Sequence, residues 1–263
     1  VTLKIDFEEG SYYYRGVTGG TGSIGSVPVS TDITAADANI LACPFSTDNT
    51  DVTGNHTFGA AGTFTASTGY NGETTFNTSA ANTSIDTIAG SGTAHDIAIA
   101  SPVTFGGFFK LVGSPQAVNP YLISSAVSGG AGTHNYSLVL ISGSLNLQAG
   151  TPTGTLTDFA WSPHEAPAAA VMANSSGWYH IVCQLEAGRT TARLFVDGKQ
   201  FGADKTSIPA GALGGNLFIN GINGVAAGEL NAFNRNLFIS DTLIDAATIR
   251  SLAERSYGHG LPA

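Results

Sequence analysis

The chain has 263 residues, long enough for one large all-β domain or two small ones, and for a real core without disulfide staples. Hydrophobic residues make up 42% and charged residues 11%, which excludes a disordered chain; the net charge is −9, and ten scattered Lys plus Arg form no basic stripe for nucleic acid. No apolar run approaches ~20 residues, so no membrane span is expected, and 34 glycines among many Thr, Ser, Ala and Asn suit short strands joined by small-residue turns.

Residues 1–40 differ in character from the rest of the chain. Val1, Leu3, Ile5 and Phe7 alternate with Thr2, Lys4, Asp6 and Glu8, the period of a strand with one apolar face. Tyr12, Tyr13 and Tyr14 come next, then a Gly-rich run over 16–25, an extended Val27-Pro28-Val29, and a loop or single helical turn over 32–39. Two readings stand: an extra strand and flap on one sandwich, or an arm docking on a partner subunit through Tyr12, Tyr13 and Tyr14. Adjacent tyrosines suit an interface because each offers large apolar area with a polar tip. The start at Val1 fits removal of an initiator Met or of a leader, and the former is expected.

Short strands are expected near 41–45, 63–68, 74–77, 84–88 and 101–111, then over 121–126, 135–141 and 144–148. Ser142-Gly143 marks a hairpin turn between the last two. Residues 151–173 hold Pro152, Pro163 and Pro167, which argues for a long loop over one end or face. In 177–202 the pattern is clearest. Tyr179, Ile181, Cys183 and Leu185 alternate with His180, Val182, Gln184 and Glu186, as in a half-buried strand. Ala187-Gly188-Arg189 turns the chain, 191–196 returns, and Asp197-Gly198 is the dipeptide a two-residue hairpin prefers. Strands are expected again at 216–220 and 236–240. Residues 243–258 hold the one helix, with Asp245 as N-cap, Ile244 and Ile249 as hydrophobic staple and Gly258 as terminator. Cys43 and Cys183 read as buried free thiols, with a bridge as the alternative.

The stretch GWYHIVCQLEAGRTTARLFVDGKQFG resembles the core hairpin of laminin-G-like domains, members of the concanavalin A-like jelly-roll group. The opening at 41–56, the strand 101–111 and the closing strand-plus-helix at 230–256 are similar to the same family, so the resemblance covers about 41–258. It implies an all-β, two-sheet antiparallel jelly-roll sandwich with a short C-terminal helix. The domains are then 1–40, an N-terminal strand and Gly-rich arm, and 41–263, the jelly roll. It also places Trp178 in the core. This fold hosts lectins, adhesion modules, enzymes and structural parts, so function has to come from sites.

Candidate chemistry is sparse. Glycosidases of this fold use alternating carboxylates on one strand, and no such motif occurs; Asp6, Glu8 and Glu9 lie outside the resemblance, and His164 with Glu165 is a weak acid/base pair. No Gly-x-Ser-x-Gly elbow is present. No enzyme activity is expected. Asp48, Asn49, Asp51 and Asn55 crowd one loop and offer the oxygen ligands calcium prefers, although Asp and Asn also simply make turns. Trp161, His164, Tyr121 and Tyr136 are candidates for stacking on and bonding to a glycan. Asn55, Asn77, Asn82, Asn135 and Asn174 begin N-x-S/T sequons. The leading expectation is a non-enzymatic surface module of a larger assembly, most concretely a virion (phage) decoration or adhesin protein that binds surface glycans. A secreted lectin or adhesion domain, assisted by calcium, is the alternative, and a glycan-cleaving enzyme the third. Protein subunits of the assembly, docked through the arm, and surface glycans are the expected partners, at a virion surface or extracellular.

Overall fold

The computed structural model describes residues 7–8, 11–12, 32–46, 48, 50–58, 63–65, 75–77, 85–86, 94–111, 121–126, 134–141, 144–150, 156–161, 177–209, 215–221 and 232–257. In chain order the strands are β1 (Phe7–Glu8), β2 (Ser11–Tyr12), β3 (Leu41–Cys43), β4 (Thr63–Thr65), β5 (Thr75–Asn77), β6 (Ile85–Asp86), β7 (Val103–Leu111) and β8 (Tyr121–Ala126). Then come β9 (His134–Ile141), β10 (Ser144–Gly150), β11 (Leu156–Trp161), β12 (Tyr179–Leu185), β13 (Thr191–Val196), β14 (Lys199–Thr206), β15 (Asn216–Ile219) and β16 (Ala232–Ser240). Helix α1 (Ala246–Tyr257) closes the described chain.

Two antiparallel sheets face each other. The smaller has the order β11-β10-β9-β8-β15-β6; the larger has the order β14-β13-β12-β7-β16-β5-β4, with β3 also on β16. Between them Phe105, Phe109, Leu138, Leu147, Ile181 and Leu237 belong to one buried cluster, the alternate residues of each strand meeting across the gap. Among the described residues, strands β1 and β2 pair only with each other. Residues 1–6, Tyr13, Tyr14 and the Gly-rich run lie outside the described residues; of 1–40, the stretch 32–40 is described, and its Ile33 and Ala38 pack in the cluster that holds Phe238 and Ile249.

Local chemistry explains the best-read parts. Asp197 and Gly198 take φ of 48° and 76°, the positive pair that a tight two-residue hairpin requires. The N-cap forms as expected: Thr248 N–H donates to Asp245 Oδ1 at 2.9 Å, and Ile244 packs against the cluster that holds Ile249. At the centre of the larger sheet, Gly106 and Gly107 let three strands close up. A Cβ on Gly106 would lie 2.1 Å from the Ile181 carbonyl oxygen, and one on Gly107 2.3 Å from Leu237 Cδ2. The register of β16 shifts between Arg235 and Phe238, where Asn236 takes a φ of 49°.

Some expectations need correction. Residues 151–173 are not all loop, because β11 runs between Pro152 and Pro163. It is the edge of its sheet, where flanking prolines remove no central ladder bond. Strand β12 is not half-buried: His180, Val182 and Gln184 are buried as fully as Ile181 and Cys183. Helix α1 lies on its outer side, with Val182, Phe195 and Phe238 clustered against Ile249 and Leu252. Trp178 is buried as the resemblance implied, but with Phe108 and Ala253 in that outer layer rather than between the sheets. Cys43 and Cys183 are free and buried.

Candidate functional site

A cluster of polar and titratable side chains closes one end of the sandwich. The register places Leu185 beside Val103, and Ala126 beside both His134 and Asn216. Loop ends of both sheets therefore meet here. The loop 51–56 and the connection 94–100 lie across them.

Asp51 anchors the loop. Its carboxylate accepts from the backbone N–H of Ala42 (3.0 Å), Thr53 (3.0 Å) and His56 (3.0 Å), from Thr53 Oγ1 (2.7 Å) and from His56 Nδ1 (3.1 Å). Burial pulls its pKa up, but these bonds, His56 first, outweigh burial and hold it below the usual carboxylate range. His56 Nε2 then meets His95 Nδ1 at 3.0 Å, and His95 Nε2 meets the Gly215 carbonyl at 3.0 Å. A carbonyl only accepts, so His95 carries its hydrogen on Nε2 and accepts at Nδ1. His56 thus links the Asp51 carboxylate to His95, and His95 carries the chain on to Gly215 at the start of β15. Burial lowers the pKa of His95.

The connection 94–100 is held from the other side as well. Tyr136 O–H donates to the His95 carbonyl at 2.9 Å, and Arg189 Nη2 donates to the Ile97 carbonyl (3.2 Å) and to Asn135 Oδ1 (3.0 Å). Arg189 is 1% exposed, in left-handed geometry at φ 54° after Gly188 at 73°. Burial lowers its pKa and raises those of Tyr136 and Cys183. Every nitrogen and oxygen of the Asp51–His56–His95 chain faces a donor or acceptor of the protein. The arrangement ties the loop 51–56, the connection 94–100 and Gly215 to one another.

A second polar row crosses the outer face of the smaller sheet. Tyr121 O–H donates to Gln148 Oε1 (2.6 Å), and Gln148 Nε2 donates to Asp158 Oδ1 (2.7 Å). Beside it Ser124 and Ser137 share a hydrogen at 2.8 Å, and His134 Nδ1 meets Ser137 Oγ at 2.7 Å. Burial pushes Tyr121 up to about 12 and His134 down to about 4.

The residues singled out in the sequence separate. Trp161 and Tyr136 are wholly buried between the sheets, and Trp161 Nε1 donates to the Ala203 carbonyl at 3.2 Å. Tyr121 is buried in the outer row. A sugar needs an exposed ring face to stack on, and these three rings offer none. His164 lies outside the described residues. In the loop expected to hold calcium, Asp51 turns inward, Asp48 stays exposed with its Oδ1 accepting from the Thr50 N–H, and Asn55 Nδ2 donates to the Asn39 and Ile40 carbonyls. Asn49 lies outside the described residues. No group of three His, Cys, Asp or Glu placed to hold a metal occurs among the described residues. Tyr12 ends β2, and its side chain is not described. His95 and Arg189 were missed. No spacing joins His56 to a histidine 39 positions on, and Arg189 reads as an ordinary polar turn residue.

No protein-family model and no curated protein matches the chain. Solved structures do. The binding domain of Paraclostridial Mosquitocidal Protein 1 matches with a TM-score of 0.62 at 13% identity, over 82% of this chain and 51% of that one. The Botulinum neurotoxin serotype D binding domain matches with 0.60 at 12%, over 83% and 51%. The binding domain of Botulinum neurotoxin DC in complex with rat synaptotagmin II matches with 0.57 at 14%, over 82% and 51%. The chain thus spans about half the length of the solved structures it matches. At such identity the likeness is one of fold: an all-β, jelly-roll-like sandwich, with the laminin-G-like assignment still a resemblance of sequence alone.

Proposed function

We propose that this chain is a non-enzymatic recognition module that binds a glycan or a protein receptor on another surface. One observation carries the reading: the sandwich is that of solved domains described as binding domains, one in complex with rat synaptotagmin II and another with SialylT. The buried end cluster supports it, because its titratable groups hold loops in place. Loops carry recognition when a rigid scaffold positions them. In this proposal the contacts come from loops, with His164 and the exposed Asp48 beside Asn49 and Asn55 as the first residues to test.

The experiment is binding of the purified chain to a broad glycan panel, in calcium and in EDTA. Saturable binding to one glycan class, weakened by His164→Ala, is the expected result. Loss in EDTA would add calcium at the Asp48 loop. No glycan binding by folded protein, together with no retention on receptor-bearing cells, would overturn the proposal. The narrower placement on a virion, as a decoration or adhesin protein anchored through residues 1–40, rests on the low charge and on the Tyr12–Tyr14 run. A 41–263 truncation that still incorporates into the assembly would refute that anchoring.

A further inference from the structure

His180 sits in the layer between the larger sheet and helix α1. It lies opposite Phe108 in the register of β12 with β7, and its ring centroid is 4.6 Å from that of Phe108 and 6.4 Å from that of Phe238. Those phenyl rings are the ones α1 rests on: Phe238 clusters with Ile249 and Leu252, and Phe108 with Trp178 and Ala253. The helix is pressed close, since a Cβ on Gly198 would lie 2.8 Å from Arg250 Cα. His180 is 1% exposed, and its Nδ1 makes no hydrogen bond among the described residues.

Charged groups on the surrounding elements are occupied elsewhere. Asp197 Oδ1 accepts from the His180 backbone N–H, not from the ring. On β16, Arg235 pairs with Asp32 at 2.7 Å; on α1, Arg250 pairs with Glu254 at 2.8 Å and Asp245 caps the first turn. On β7, Lys110 lies over Phe233, and at the end of β12 Glu186 pairs with Arg193. No carboxylate among them bonds the ring. An imidazolium here would be a buried charge among phenyl faces, with no counter-ion bonded to it among the described residues.

We propose that His180 is an acid-sensitive latch for α1: protonation of its ring undocks the helix from the larger sheet while the two sheets stay packed. Burial alone holds the docked ring at about 3, against ~6.5 for a free histidine. The folded value is the lower one, so the docked state binds fewer protons. Docking is strongest above ~6.5 and is lost as pH falls from there towards the docked value. At pH 4.5 the docking equilibrium falls about 100-fold relative to pH 7. Undocking would uncover Val182, Phe195 and Phe238 as a new apolar face.

The test is hydrogen–deuterium exchange of the full chain between pH 7 and 4.5, corrected for intrinsic exchange. The expected result is loss of protection in 246–257 while β7 and β12, the central strands of the larger sheet and away from His134, keep theirs. His180→Phe, which stacks but does not titrate, should hold α1 protected at pH 4.5; His180→Leu serves if the phenylalanine does not fit. The proposal is overturned if α1 stays protected at pH 4.5 in the wild type. It is overturned too if all strands lose protection together, or if the non-titrating variant undocks as the wild type does.

Discussion

The two sheets treat their outer faces differently. The larger carries Val182, Phe195 and Phe238 outward and buries them under Ile249 and Leu252 of α1. The smaller carries outward a small apolar cluster of Tyr121, Val139 and Phe218 and, beside it, Ser124, Ser137 and Gln148, buried as a hydrogen-bonded row that Tyr121 O–H joins. On one face the energy is area removed from water, and a deleted side chain leaves a cavity. On the other the net gain per bond is small, but each unmade bond leaves a buried polar atom unsatisfied. The apolar face should therefore respond to volume, and the polar face to single atoms and to protons.

Phe238→Ala should give the largest effect, about 3–5 kcal/mol by urea denaturation, since it empties the centre of the layer under α1. A loss below ~1 kcal/mol would show that α1 is only loosely seated. On the smaller sheet, His134 makes acid the sharper probe. Its value of about 4 lies below the ~6.5 of the unfolded chain, so its contribution is complete above 6.5 and is lost as pH falls towards 4. The loss is about 3 kcal/mol at most, and His134→Gln should flatten that part of the stability–pH curve. Asp51 acts lower, because its folded value is depressed and its contribution disappears only as pH falls below the ordinary carboxylate range.

Tyr121→Phe removes one hydroxyl and leaves Gln148 Oε1 without that donor, for an expected cost of about 1–2 kcal/mol. A neutral result would mean that water replaces the hydroxyl, and the contrast between the faces would weaken. The smallest effect is expected at the helix cap. Asp245→Ala should fray the cap, read as faster exchange confined to the first turn of α1.

Strand periods, turn chemistry and the helix cap were legible because each acts within a few residues. The period of β12, the positive φ at Asp197 and Gly198 and the Asp245 cap needed no knowledge of the fold. Burial on both faces of β12 was not legible, because the residues that cover Val182 come from a helix more than 60 positions later, and His180 is flanked by Phe108 and Phe238 from other strands. Tyr136 and Trp161 looked like recognition aromatics for the same reason: a polar-tipped ring in a short strand reads alike whether it faces solvent or a backbone carbonyl.

By itself the sequence determined an all-β chain of short strands with one capped helix, and a composition with no basic stripe. Backbone preference and hydrophobic period are local properties, and they survive without tertiary contacts. Only the tertiary structure decided that Asp51, His56 and His95 form one chain, that Arg189 points inward to Ile97 and Asn135, and that His180 lies beneath α1. Apart from the local Asp51–His56 bond, such contacts join positions 39 to 92 apart, and no local rule of propensity or spacing encodes which distant loops a closed sandwich will bring together.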